Sequence, residues 1–237
     1  MSNLKYSKIL SGKKVVLVGP SWHNKGSGQG KYIDSYDVVV RMNLGYRIPS
    51  YLKKDIGNRV DILYSSLGDY YFKNEYFTEK ILKKLKEKVK CIVFTNQTIH
   101  KKSLSDMEKI NSKANIPIHV VNKEYYKYLR KKCKKKLSCG IVTIYHLLQY
   151  DIKELYITGL TFYDTKTINK RKIYYPGYSK FGTSYSKRPF HSHDLNSELL
   201  FLKKFQNNDK RIKCDDVLTK IMKNNRVFIL EKKIEKK

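Results

Sequence analysis

The 237-residue chain reads as an α/β protein, a mainly parallel sheet flanked by helices. Two observations predict this. Short β-branched runs alternate along the chain with stretches whose apolar residues recur at helical spacing. Residues 15–43, VVLVGPSWHNKGSGQGKYIDSYDVVVRMN, also pass from a strand through a small-residue loop and a short helix into a second strand. Proteins of this class build nucleotide sites from that succession, at the carboxyl ends of parallel strands.

Taken in order, the first strand covers 15–18 and stops at Gly19-Pro20-Ser21. Gly26, Gly28 and Gly30 precede a short helix, and 38–42 is a second strand running into Asn43. Further strands are expected at 62–64, 91–94, 118–121, 154–158 and 227–230. Amphipathic helices are expected from three stripes: Phe77, Ile81, Leu85 and Val89; Ile141, Ile144, Tyr145 and Leu148; and Leu195, Leu199, Leu202 and Phe205. Two stretches break the alternation. Residues 130–136, RKKCKKK, carry six basic side chains in seven and cannot be buried. Residues 163–190 are polar, turn-rich and full of tyrosine, which suits a lid over a polar ligand better than disorder. The expected organisation is one domain over 1–237, with 163–190 as lid or acceptor loop and 206–237 as a basic appendage.

A formal net charge of +29 directs the chain toward anionic partners: acidic substrates, acidic lipid headgroups or nucleic acid. Lysines on solvated helix faces would account for the same total. The four cysteines are isolated, without CxxC or histidine at metal spacing, as in a reduced cytosolic protein. No apolar core of a signal peptide stands in 1–14, and no run reaches the ~18 apolar residues of a membrane span. A cytoplasmic protein, peripheral at most on the inner membrane face, is the expectation.

Gly26 to Lys31, GSGQGK, fails both nucleotide signatures it superficially matches. A P-loop wants glycine where Lys25 stands and Ser or Thr where Tyr32 stands. A dinucleotide fingerprint wants its first glycine directly after the strand and an acidic residue ending the second strand, which here ends in Arg41-Met42-Asn43. What remains at the strand ends is Gly19, which permits close backbone approach, with Ser21 and Asn43 as hydrogen-bonding side chains. Asn43 alone would equally be an ordinary turn residue. Ser138-Cys139-Gly140 opens a helix whose N–H groups and dipole suit a phosphate, and Ser138 would also serve as a plain N-cap. His193, at the start of another helix, feels a positive potential that keeps its imidazole neutral and able to accept a proton. A surface histidine at a cap would look the same.

Together the three motifs resemble glycosyltransferase family 29, the sialyltransferases. The large motif of that family is similar to VGPSWHNKGSGQGKYIDSYDVVVRMN at 18–43, continued by DIGNRVDILYSS at 55–66. The small motif is similar to Ser138-Cys139-Gly140 through Gly159, and the family's His-x₄-Glu to His193 and Glu198; the likeness spans roughly 14–205. It implies a modified GT-A-like, Rossmann-type fold and a metal-independent, inverting transferase using a CMP-activated sugar. It also implies CMP contacts from Gly19, Pro20, Ser21, Asn43, Ser138, Cys139, Gly140, Gly159, Tyr174 and Tyr175, a general base in His193 and a supporting role for Glu198.

Departures are specific. Pro20 stands where the family has Asn, and Cys139 where it has Thr. The third motif survives only as Ile173-Tyr174-Tyr175, without its histidine, for which His191 or Lys172 are the substitutes at hand. The family's disulfide positions fall at Val15 and Tyr150. The resulting expectation is an enzyme moving an acidic ulosonic sugar, sialic acid or Kdo, from CMP to a glycan or lipid-linked glycan hydroxyl, without cofactor or metal. Contact with an anionic membrane is expected, and specific nucleic-acid binding is not. A non-catalytic or nucleic-acid-binding protein on a degenerate transferase fold is the alternative.

Overall fold

A computed structural model describes residues 1–66, 77–95, 105, 108, 111–112, 114–133, 135–164, 173–178, 193–224 and 227. Helix α1 (Asn3–Leu10), capped by Ser2, leads into β1 (Lys14–Val18). A 3-10 turn at Trp22–Asn24, helix α2 (Gly30–Asp34) and strand β2 (Val38–Met42) follow. Then come a turn at Ser50–Leu52, α3 (Lys53–Ile56), β3 (Ile62–Ser65), α4 (Glu79–Lys86), β4 (Cys91–Phe94) and β5 (Ile118–Val120). The chain continues through α5 (Lys123–Cys133), α6 (Cys139–Leu148), β6 (Glu154–Thr158), α7 (Leu195–Asn208), β7 (Ile212–Cys214) and α8 (Asp216–Lys223).

The strands form one seven-stranded sheet in the order β5-β4-β3-β2-β1-β6-β7, and every pairing is parallel. From β1 the chain builds outward to β5, then returns to lay β6 on the other side of β1. The order therefore reverses between β1 and β6, where Val16 faces Tyr156 and Val18 faces Thr158. A crevice opens beyond the carboxyl ends at such a reversal, because the two connections leave in opposite directions.

Both faces of the sheet are covered, which is why its central strands are mostly apolar rather than alternating, with Arg41 of β2 the buried charged exception. Val15, Leu17, Val38, Val40 and Met42 pack with Ile141, Ile144 and Leu147 of α6 and Leu199 and Leu202 of α7. The intervening Val16, Val18 and Val39 pack on the opposite face with Ile33, Leu52 and Ile56.

Two elements differ from the pattern read in the sequence. The strand beside β6 is β7 at Ile212–Cys214, whereas Val227 lies outside any strand and 228–230 lie outside the described residues. Ile212, Lys213 and Cys214 are too short and mixed to show a period, and their pairing with β6 makes them a strand. Helix α4 begins only after the Thr78 cap, so Phe77 and Val89 are buried beyond its ends and Leu82 with Leu85 forms its buried face, leaving Ile81 partly exposed.

Candidate active site

The floor of the crevice is backbone. A Cβ on Gly19 would lie 2.1 Å from the Gly159 carbonyl oxygen, so only glycine lets the turns after β1 and β6 meet. Gly159 adopts φ 73°, and a Cβ there would lie 2.6 Å from the Gly19 oxygen. Gly19 N–H donates to Thr158 O at 2.7 Å and Ser21 N–H to Gly159 O at 3.1 Å. Asp215, the N-cap of α8, fastens this floor from behind. Its Oδ2 accepts from Thr158 Oγ1 and Gly159 N, both at 2.9 Å, and its Oδ1 accepts from Leu218 N at 2.7 Å. Burial works against the Asp215 charge, but His23, whose Nε2 lies 3.3 Å away, and these amides outweigh it and hold the carboxyl below its usual range.

Above the floor lies a cavity of about 350 Å³. Pro20 and Ser21 border it from the β1 turn, Asn43 from the end of β2, Ser138, Cys139 and Gly140 from the start of α6, and Gly159 from the end of β6. Tyr174 and His193 complete the set of anticipated residues that reach it. Three others do not. Gly19 spends its missing side chain on Gly159. Tyr175 is buried on the opposite face of the sheet with Val16 and Val18, its hydroxyl 3.4 Å from Gly45 O. Glu198 stands behind Ser138 rather than at the cavity. His191 and Lys172, named as substitutes for the missing histidine, lie outside the described residues, as does most of 163–190.

Glu198 is fully buried in the first turn of α7. Its Oε1 accepts from Ser138 N–H at 2.7 Å and its Oε2 from the Ser138 hydroxyl at 2.5 Å. Burial pushes its carboxyl up to about 7; the Ser138 hydrogen bonds oppose that rise and Asp194 adds to it. The grip fixes the N-cap of α6, where Cys139 and Gly140 present first-turn N–H groups that have no intrahelical acceptor. Burial raises the Cys139 thiol to about 11, so it lines the wall uncharged.

His193 is held two residues upstream of that cap. Its Nδ1 lies 2.7 Å from Lys136 O, and a carbonyl only accepts, so Nδ1 carries the proton and Nε2 keeps its lone pair. Burial, with the Lys136 charge, lowers the basicity of the imidazole, and it is neutral at pH 7.

On the facing wall, Asn43 sits at φ 49°, accepts from Ser66 N at 3.2 Å and donates from Nδ2 to the Tyr178 hydroxyl at 3.4 Å. Ile173 to Tyr175 run antiparallel to the β1 turn: Trp22 N donates to Ile173 O and Tyr175 N to Pro20 O. Tyr174 donates to the Tyr163 hydroxyl at 2.7 Å and packs on Tyr178 with ring centres 5.0 Å apart. Phe162 and Tyr163, at φ 47° and 61°, also border the cavity, as does Lys136. Sequence reasoning passed over Lys136, Phe162, His23 and Asp215 as site residues, and took in Tyr163 and Tyr178 only as part of the tyrosine-rich stretch 163–190. For Phe162 and Tyr163 the available signal was position, since ligands gather where strands end at a reversal of strand order. Among the described residues no three His, Cys, Asp or Glu side chains gather as metal ligands would, and no helix is long and apolar enough to cross a membrane.

Comparison with known proteins converges on one family. A model of glycosyltransferase family 29 (sialyltransferase) matches residues 7–210. The sialyltransferase CstII from Campylobacter jejuni, solved with cytidine-5'-monophosphate, is similar in fold: 15% identity, 86% of this chain and 80% of that one covered, TM-score 0.52. A mammalian sialyltransferase in complex with Gal-beta-1-3GalNAc-ortho-nitrophenol matches at 16% identity over 91% of this chain and 73% of its own, TM-score 0.53. An alpha-2,3-sialyltransferase from Campylobacter jejuni in apo form matches at 17% identity over 86% and 76%, TM-score 0.53. No curated protein matches the chain.

Proposed function

The chain belongs to glycosyltransferase family 29, a CMP-sugar-dependent enzyme family, and from that premise we propose that it moves an acidic ulosonic sugar from CMP to a glycan hydroxyl with inversion. The observation that carries this reading is His193, set at the cavity with Nδ1 committed to Lys136 O and Nε2 open. Nε2 takes the proton of the acceptor hydroxyl as its oxygen bonds to the anomeric carbon. The bond from that carbon to the phosphate oxygen breaks, and its electron pair leaves with CMP. Attack and departure on opposite faces invert the centre.

The rest of the cavity suits the leaving group. Asn43 and the α6 amides at Cys139 and Gly140 are hydrogen-bond groups for the nucleotide, and the Tyr163 and Tyr178 hydroxyls, which accept from Tyr174 and Asn43, are donors for phosphate oxygens. With that donor set, departure of a phosphate monoester proceeds without a metal ion. The CstII structures with cytidine-5'-monophosphate and with CMP-3FNeuAc support a CMP donor here. Sialic acid and Kdo share the carboxylate and the CMP leaving group, so both are donors to be tried. A cytoplasmic enzyme with a lipid-linked glycan acceptor at an anionic membrane fits the exposed Arg130, Lys131 and Lys132 on α5.

The test is calorimetry with CMP followed by a panel of CMP-sugars, read as donor hydrolysis and transfer. His193→Ala is expected to bind CMP as the parent does while turnover falls roughly 10²–10⁴-fold, the contribution of a positioned base. A variant with full turnover removes His193 from that role.

A further inference from the structure

We propose that the Lys136 ammonium is the anion anchor of the cavity, holding the donor's phosphate and the charge that grows on it as CMP departs. The inference rests on the CMP reading above and names the cation that reading lacks, since the chain has no histidine in its third motif.

Charge makes the first argument. No aspartate or glutamate borders the cavity among the described residues, and its only side chains able to carry positive charge are Lys136 and His193. His193 is neutral at pH 7 for the reasons given above, and a base that must accept a proton cannot also serve as the standing countercharge. Among the described residues, Lys136 therefore supplies the one ammonium at a cavity read as receiving an anion.

Position makes the second. The Lys136 carbonyl accepts from His193 Nδ1 at 2.7 Å, and two residues on, Ser138 is clamped by Glu198 through both its N–H and its hydroxyl. The backbone that carries Lys136 is thus pinned at its own carbonyl and again two residues on, while its side chain is exposed. Its charge is already felt by the His193 ring.

The described neighbours of Lys136 in the basic run do not share the site. Lys131 and Lys132 belong to the last turn of α5, and the Lys132 ammonium lies over the Tyr128 ring, 5.8 Å from its centre. Neither they nor Lys135 border the cavity. Among its described residues, the run that looked like one surface patch is divided: only its final lysine borders the cavity.

The chemistry favours a cation most when the bond breaks. The phosphate of a CMP-sugar is a diester with one negative charge, and departing CMP is a monoester that gains a second. An ammonium at that phosphate is worth more in the transition state than in the ground state, which is the condition for raising turnover rather than affinity alone.

The experiment compares the parent protein with Lys136→Gln, Lys136→Arg and Lys127→Gln. CMP is titrated by calorimetry, and cytidine by NMR shifts to millimolar concentration. Lys136→Gln is expected to weaken CMP about tenfold to a hundredfold, with cytidine unchanged and the deficit shrinking as sodium chloride is raised. Lys136→Arg should recover most of the loss, and Lys127→Gln, on the exposed face of α5, should bind as the parent does. CMP binding within twofold of the parent in Lys136→Gln overturns the inference. So does an equal loss of CMP and cytidine, which marks a damaged site rather than a missing charge. A parent protein that binds neither ligand overturns the CMP reading itself, and the inference with it.

Discussion

Glu198 has no ammonium or guanidinium partner in its hydrogen bonds, only the N–H and hydroxyl of Ser138, and burial lifts its proton affinity to about 7. The ordinary value is 4.5, so the folded state holds this proton more tightly than the unfolded chain. The resulting stability is fully present below pH 4.5 and is lost as pH rises through about 7. Glu198→Gln cannot ionise. Its melting temperature relative to the parent should therefore climb between pH 4.5 and 7, as thermal melts across that range will read; a constant difference would show that the carboxyl does not titrate there. Residue-level legibility followed the same local physics. Asn43, Ser138 and His193 were readable because each ends or begins an element. Tyr174 and Tyr175 were not separable, because adjacent residues of an extended segment point to opposite sides, and only tertiary structure says which side is the cavity. Lys136 was hidden inside a run whose charge read as uniformly solvated.

Among the elements, α1, β5 and α6 meet through ring side chains rather than aliphatic ones. Tyr6 stacks on His119 at 4.3 Å, Tyr64 bonds Tyr6 at 2.6 Å and His146 Nδ1 at 2.9 Å, and the Tyr150 hydroxyl lies 3.3 and 3.2 Å from His119 and His146. The α-ammonium of Met1 donates to Ile118 O nearby, and Cys91, raised to about 12 by burial, stays a neutral thiol. No carboxylate takes part in these hydrogen bonds. Burial, with mutual repulsion, lowers His146 to about 3, and burial also lowers His119. Depressed histidines stabilise above their unfolded value of 6.5, and that stability is lost as pH falls through the folded values. The melting temperature should drop as pH goes from 6.5 toward 3, and His146→Gln should flatten the drop while costing about 1–3 kcal/mol at pH 7. An unchanged slope in that variant would place the acid sensitivity elsewhere. Of the six strands from 15–18 to 154–158, most were legible as buried apolar runs, and β5, with Val120 exposed, through its β-branched Ile118 and Val120. Strand β7 was not, because three residues become a strand only by pairing with a neighbour.

For the whole molecule, the parallel α/β sheet followed from the alternation of periods, but the strand order did not. Which edge receives β6 depends on how the return from β5 packs, and that order puts Gly19 against Gly159 as the floor beneath the cavity. The net charge of +29 acts at this scale. Each basic residue near an anionic surface adds about 1 kcal/mol of attraction. Sedimentation with vesicles rich in phosphatidylserine should show binding at low salt that fades toward 0.5 M, a ~4 Å screening length. Charge reversal of Arg130, Lys131 and Lys132 should remove it, and binding that persists in that variant would assign the contact to another face.

Three residues that border the cavity, Asn43, Phe162 and Tyr163, hold left-handed backbone without being glycine. Each such residue costs about 1–2 kcal/mol relative to a relaxed conformation. Glycine would relieve that strain at each position, but at Phe162, buried in the core, the lost packing outweighs the relief. At Asn43 the exchange gives up the bonds to Ser66 and Tyr178, so a more comfortable chain there comes at the expense of the wall that faces the donor.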